Sequence, residues 1–431
     1  MKRIWREFIF WGFVGLFFIL APYILLNTAG YRYQFGSARF IRTGVLSISA
    51  SPRSVAVFLN GDSADENTPA VLKNLIPGTY AVELVRDEHH PWRGEVDIIQ
   101  GETTFLNNIM LFLADTPDLI TQEAIQEIAI HPNEELIAYS INIGAITQIW
   151  LQAPSTGETT FIHEQSLDTN LMLHWSAEGG YLLVDGEQNY LYTKNVQEIQ
   201  ISDRGEWEFD QTQDHLVYQN IDDGVNKLNL ETEDVSSIEA LVLPSPFEGS
   251  NLQLVDNGHN VEIRDVNKDD YALIAILPAG HYELLKEDAP YLLLSRNSHE
   301  LLLLNLEAEQ PKLLEASGTL WDWQSKTREL VYSDGHEVTT FETENGHSEF
   351  ITRQSESITS LHWLPEGEHI LVTTETNLSV FEQFAQAKQR FSLVLAEHLA
   401  ISTVWLSDNG NDAYYLVEEP TIALMRLELR K

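Results

Sequence analysis

The chain has 431 residues, 43% of them hydrophobic, which is ample apolar material for two or three packed domains and excludes a disordered chain. It contains no cysteine, which excludes disulfides, thiolate metal sites, a cysteine nucleophile and a lipid-modified cysteine anchor. Against 65 Asp plus Glu stand only 26 Lys plus Arg, and a net charge of −39 repels phosphate backbones, arguing against nucleic acid as a partner.

Residues 8 to 26, FIFWGFVGLFFILAPYILL, hold no charge. At about 1.5 Å per residue this stretch spans roughly 28 Å, the thickness of a bilayer core. It predicts a transmembrane helix over 8–27 with a cytoplasmic N-terminus over 1–7; Phe8, Trp11, Phe17, Leu20, Tyr23 and Leu26 are its anchor residues. The competing reading is a cleaved signal peptide, with Thr28 to Gly30 as the small-residue cleavage site; the apolar run exceeds the length usual for such a peptide. Lys2, Arg3 and Arg6 precede the run while Arg32, Arg39 and Arg42 follow it, so charge bias hardly sets its orientation. A short basic N-terminus ahead of a first apolar segment normally stays in the cytoplasm. The expectation is therefore a single-pass plasma-membrane protein with the bulk of the chain extracytoplasmic.

After a juxtamembrane linker over 28–43, residues 44–114 read as a small all-β domain. Val45, Ser47, Val55, Val57 and Leu59 belong to β-rich segments with the period of two that suits half-buried strands. Asn60-Gly61 is a strong hairpin signal, because both residues take positive φ at low cost. Pro69 and Pro77 interrupt any helix over Ala70 to Ile76, and Pro77-Gly78 forms a turn that launches a strand from Tyr80 to Val85.

Pro52, Asn60, Gly61, Thr68, Pro69, Pro77, Gly78, Tyr80 and Trp92 together give this segment a pattern that resembles a PEGA domain, although Arg53, Ser54 and Val55 replace the Glu, Gly and Ala of the name-giving tetrad. The resemblance implies a β-sandwich-like module in a bacterial envelope protein, and contact with surface polymer or envelope proteins. Trp92 is expected to cap the core of this module, the other reading being an exposed indole that binds carbohydrate.

All of the charge excess lies further on. Residues 115–431 carry 16 Lys plus Arg and 55 Asp plus Glu, whereas residues 1–114 carry ten of each. The same region holds a degenerate repeat of strand, polar turn and strand, with His131, Trp175, Phe209, Leu285, Trp323, Trp363 and Trp405 as markers. Their steps are 44, 34, 76, 38, 40 and 42, and the step of 76 hides one eroded copy between residues 240 and 278 that uses LQLVDNGHNVEIRD. A period near forty with about four short strands per copy marks a β-propeller blade. The region resembles the WD40-like propellers that include TolB-type domains, with eight blades expected and seven as the alternative. A strand near Asp118 to Gln122 is expected to complete the last blade and so remove an open sheet edge.

Because Trp175, Trp323, Trp363 and Trp405 recur at one place in the repeat, they are expected to pack blades together; the other reading is a sugar-stacking set. Asp265, Asn267 and Asp269 copy the start of a calcium loop, but Asp270 and Ile276 replace the Gly and Glu that such a loop needs at its sixth and twelfth positions, so a polar hairpin loop fits better. The sequence contains no GxSxG, HExxH, P-loop or strand-linked GxGxxG motif. No catalytic residue, cofactor or firm metal site is assigned. The expected role is non-enzymatic binding or scaffolding, with the lipid bilayer as partner of the N-terminal helix; the alternative is a propeller-based hydrolase or lyase acting on envelope carbohydrate.

Overall fold

The computed structural model describes residues 2–28, 30–34, 39–120, 125–132, 136–154, 156–167, 171–176, 178–186, 188–199, 201, 206–209, 216–221, 224–230, 232, 235–238, 252–265, 272–397, 400–407, 409–418 and 422–431. They form two compact units. The first comprises residues 1–115 together with 381–393 and Arg430; the second comprises 116–380, 394–429 and Lys431.

The first unit opens with helix α1 (Lys2–Thr28), in which the window Phe8–Leu25 buries nothing against protein. Phe8, Trp11, Phe17, Leu20 and Tyr23 are between 42% and 82% exposed, and Leu26 also falls on the helix. The Thr28 hydroxyl donates to the carbonyls of Ile24 and Leu25 at 2.9 and 3.0 Å, satisfying acceptors of the last turn. The stretch expected as a linker is partly a hairpin, with β1 (Tyr31–Gln34) antiparallel to β2 (Arg39–Arg42).

Two sheets follow. β3 (Gly44–Ser51), β6 (Ala70–Leu75) and β9 (Thr103–Met110) form one, in the order β6-β3-β9, with β3 and β9 parallel. β4 (Ala56–Leu59), β5 (Asp62–Asn67), β7 (Gly78–Val85) and β8 (Trp92–Ile98) form the other, in the order β5-β4-β7-β8. Alternation places Leu46, Ile48, Val57, Leu84, Val96 and Leu106 inward, where they share one core with Trp92. Ala387 and Phe391 pack against that same core, so the unit is discontinuous in sequence and extends beyond the expected 44–114 boundary.

The second unit is a succession of antiparallel sheets within residues 125–166, 172–199, 206–238, 252–278, 282–317, 320–353 and 358–397, of which 381–393 group with the first unit, plus a last sheet built from residues 401–428. Among the described residues all have four strands except 252–278, which has three and coincides with the eroded copy. This all-β arrangement of consecutive four-stranded sheets is that of a β-propeller. The fourth strand of the last sheet is Asp118–Leu119, paired antiparallel with Ala423–Glu428 through Asp118↔Arg426, so the start of the unit completes the sheet at its end.

The polar turn of the repeat has one recurrent geometry. Ser176, Leu364 and Ser407 each accept, at the carbonyl, the N–H of a glycine three residues on, at 2.9, 2.9 and 2.8 Å. Those glycines, Gly179, Gly367 and Gly410, sit at φ of 81°, 82° and 65°, where L side chains are strained. At Gly179 space is decisive as well, because a Cβ there would stand 2.1 Å from Nε2 of His131.

Candidate functional site

The residues that carry the family resemblance build turns and core. Ser54 N–H donates to the Thr68 carbonyl and Thr68 N–H to the Val55 carbonyl, both at 2.9 Å, while the Thr68 hydroxyl accepts from Val55 N–H at 3.1 Å. Thr68, the residue before Pro69, is therefore tied to the Pro52–Val55 turn by three hydrogen bonds. Arg86 also holds this turn, through a hydrogen bond from its guanidinium to the Arg53 carbonyl. Asn60 and Gly61 have φ of 52° and 87° and form the two-residue loop between β4 and β5, with Leu59 opposite Asp62. Asn60 adds a second role, because its N–H donates to the Ala81 carbonyl at 2.8 Å and its Oδ1 accepts from Ala81 N–H at 2.9 Å. Gly78 starts β7 just after Pro77, and the Tyr80 hydroxyl reaches back to the Ile76 carbonyl at 2.9 Å.

Trp92 is 1% exposed, and its indole N–H donates to Oε1 of Glu382 at 3.0 Å. Its ring lies 6.4 Å from that of Phe391. Sequence reading had no signal for Glu382, which lies 290 positions away and is itself buried. The same segment is fixed by Lys388, whose N–H donates to the Glu95 carbonyl at 2.8 Å and whose ammonium pairs with Asp97 at 2.8 Å. Hydrogen bonds from Lys388 and Thr79 hold the Asp97 carboxyl below its usual range. A groove of about 590 Å³ runs over this unit, lined by Gly61, Glu83, Arg93, Glu95, Arg390 and Phe391 among others. Arg93 is paired with Glu83 at 2.7 Å and Arg390 donates to the Glu382 carbonyl at 2.7 Å, so both guanidiniums already have protein acceptors.

In the second unit the repeat markers lie at or near the ends of first strands. The Trp175 indole donates to the Ala129 carbonyl of the preceding sheet at 3.1 Å, and the Trp323 indole to Oδ2 of Asp288 of the preceding sheet at 2.8 Å. Trp363 is buried with its indole N–H unsatisfied, and Trp405 stacks on Tyr414 at 5.8 Å within its own sheet.

One polar group spans three neighbouring first strands, 320–324, 358–363 and 401–406. Asp322 accepts the N–H of Trp323 at 2.8 Å through Oδ1 and the N–H of Trp363 at 2.6 Å through Oδ2, latching one sheet to the next. The His362 imidazole is hydrogen-bonded to the backbone of Val404, and its Nε2 is buried without a partner. Burial pushes the Asp322 carboxyl up and the His362 imidazole down, so both favour their neutral forms; their mutual attraction works against this. The alternative of hydrolysis needs convergent carboxylates that a substrate can reach, whereas both oxygens of Asp322 are bonded to backbone.

Of the calcium candidates, Asp265 ends the strand Asn260–Asp265, while Asn267 and Asp269 lie outside the described residues. Among the described residues no group of three or more His, Asp or Glu is placed to hold a metal ion.

The PEGA domain family matches residues 43–110, which is the two-sheet part of the first unit. Solved structures similar to this chain include Sqt1 of Saccharomyces cerevisiae, at 11% identity over 74% of this chain and 99% of that one with a TM-score of 0.43. The C-terminal WD40 domain of Sif2 is similar at 12% identity over 73% and 99%, also with a TM-score of 0.43. Sqt1 of Chaetomium thermophilum bound to the N-terminus of ribosomal protein L10 is similar at 11% identity over 71% and 97%, with a TM-score of 0.42. No curated protein matches the chain.

Proposed function

We propose that this chain is a membrane-anchored envelope protein with a non-enzymatic binding or scaffolding role. Helix α1 fixes it in the plasma membrane in a single pass, residues 1–7 stay in the cytoplasm, and both β units lie outside. The observation that carries the reading is an apolar window, Phe8–Leu25, with none of its residues buried, on a helix that precedes a PEGA-matched module. At about 25 cal/mol per Å² of apolar surface, leaving such a cylinder in water is costly, and lipid removes that cost. A signal sequence passes the same test of length and composition, and retention of α1 in the mature protein separates the two.

In this reading the PEGA-matched module is the spacer or wall-contacting part. The acidic repeat unit, as an eight-bladed propeller, presents its loops to an envelope protein or surface polymer. Its excess of 55 acidic over 16 basic residues favours a cationic or cation-bridged partner. The test is retention of the full-length chain, purified in detergent, on cell-wall and surface-layer fractions. Retention above that of an equally acidic control protein is expected, and retention equal to the control would overturn the binding role.

A further inference from the structure

We propose that the outer strand Ala272–Pro278 is a docking edge, where an extended partner segment bearing alternating apolar and cationic side chains adds to the sheet as a further strand. The strand reads ALIAILP and carries no polar side chain. Outer strands of comparable length in other sheets all bear charge: Glu158–Ser166, Lys312–Ser317, His347–Arg353 and Ser392–Glu397. Charge on an edge strand is the usual protection against unwanted pairing, and here it is missing in a chain with 65 acidic residues.

Leu273 and Ile276 on this strand are 49% and 58% exposed. Among the described residues the strand pairs only with Asn260–Asp265, and it ends the sheet order. Beside it runs a groove of about 620 Å³, walled by this strand on one side and by Leu302, Leu304 and Pro311 of the following sheet on the other. Such a groove accepts alternate side chains of an added strand while the strand backbone supplies the hydrogen bonds.

Charge decides the occupant. Glu309, Glu315 and Lys312 line the groove, and Lys312 and Arg296 pair with Glu315 at 2.7 and 2.9 Å, so Glu309 is the lining charge that a cationic segment would meet. A second copy of this chain would bring another body with the same −39 excess, so like charges oppose it, whereas a segment with Lys or Arg facing outward is attracted.

The inference rests on the binding role proposed above, and the two fail separately, because the test here uses defined peptides rather than envelope fractions. Full-length protein in detergent is titrated with three ten-residue peptides: alternating Val-Lys, the same composition in two blocks, and alternating Val-Glu. Saturable binding of the alternating Val-Lys peptide alone is expected, with slowed amide exchange in residues 273–277. The double variant Leu273→Lys/Ile276→Lys should bind it at least tenfold more weakly, and Val394→Lys, on another outer strand, should bind it as the parent does. Equal binding of the blocked peptide, unchanged amide exchange in the parent protein, or full binding by the double variant would overturn the proposal. A dimer formed through this strand without peptide would overturn it too, by giving the edge to a second copy.

Discussion

The two units reach stability by different routes. In the first, single residues at single places do the work: Thr68 closes one turn, Asn60 another, and one tryptophan sits in one core with its N–H bonded to one distant glutamate. In the second, the same device recurs at a period near forty, as with the glycine turns at Gly179, Gly367 and Gly410. The first unit should therefore be vulnerable to single changes, while the second should spread comparable losses over its sheets.

Truncation of Trp92 is the sharpest way to break this comparison. Trp92→Ala empties the core that the two sheets of its unit share and should cost about 3–5 kcal/mol, read by denaturant unfolding of the full-length chain. Glu382→Ala should cost less, about 1–3 kcal/mol, because it leaves the ring in place but strands its buried N–H. Trp323→Phe keeps most of the ring and removes the bond to Asp288, so a loss of about 1 kcal/mol is expected in the same assay. A loss as large as that of Trp92→Ala would erase the difference between the units. Asn60→Ala, which puts a less tolerant residue at φ of 52° and deletes the Oδ1 acceptor, should cost about 1 kcal/mol, seen as a lower melting temperature.

The smallest expected effect is one of pH. His362 is pushed below its ordinary 6.5 by burial, so the unfolded chain takes up a proton first as pH falls. The stability this gives is present above about pH 6.5 and lost below it. Asp322 is pushed above its ordinary 3.8 by burial and acts in the opposite sense, its contribution being lost as pH rises past the carboxylate range. Melting temperature measured from pH 8 to 5 should fall for the parent protein, and His362→Gln should flatten the part of that fall below pH 6.5. An equal fall in both would remove His362 from the account.

Much of this architecture was legible because it rests on local chemistry. The apolar run, the Asn60-Gly61 loop, the Pro77-Gly78 turn and the step of 76 that concealed a worn copy each map onto a described element. The strand at Asp118–Leu119, expected as the completion of the last sheet, pairs there. What escaped was non-local. Nothing in the sequence near Phe381–Leu393 announces membership of the first unit, since Ala387 and Phe391 contribute by contact across nearly 300 positions. The parallel pairing of β3 with β9 was equally hidden, because alternation identifies a buried face but not a partner. The bridging role of Asp322 is invisible for the same reason, as its acceptor geometry depends on a strand forty residues on.

The central claim is that α1 holds both β units on the outer side of a membrane. Protease added to intact cells tests it most directly, with the chain followed by antibodies to its N-terminal and C-terminal ends. The account predicts digestion of everything after residue 30 in intact cells, with a short membrane-embedded fragment containing Phe8–Leu25 protected. A full-length chain that survives until the cells are lysed would contradict it.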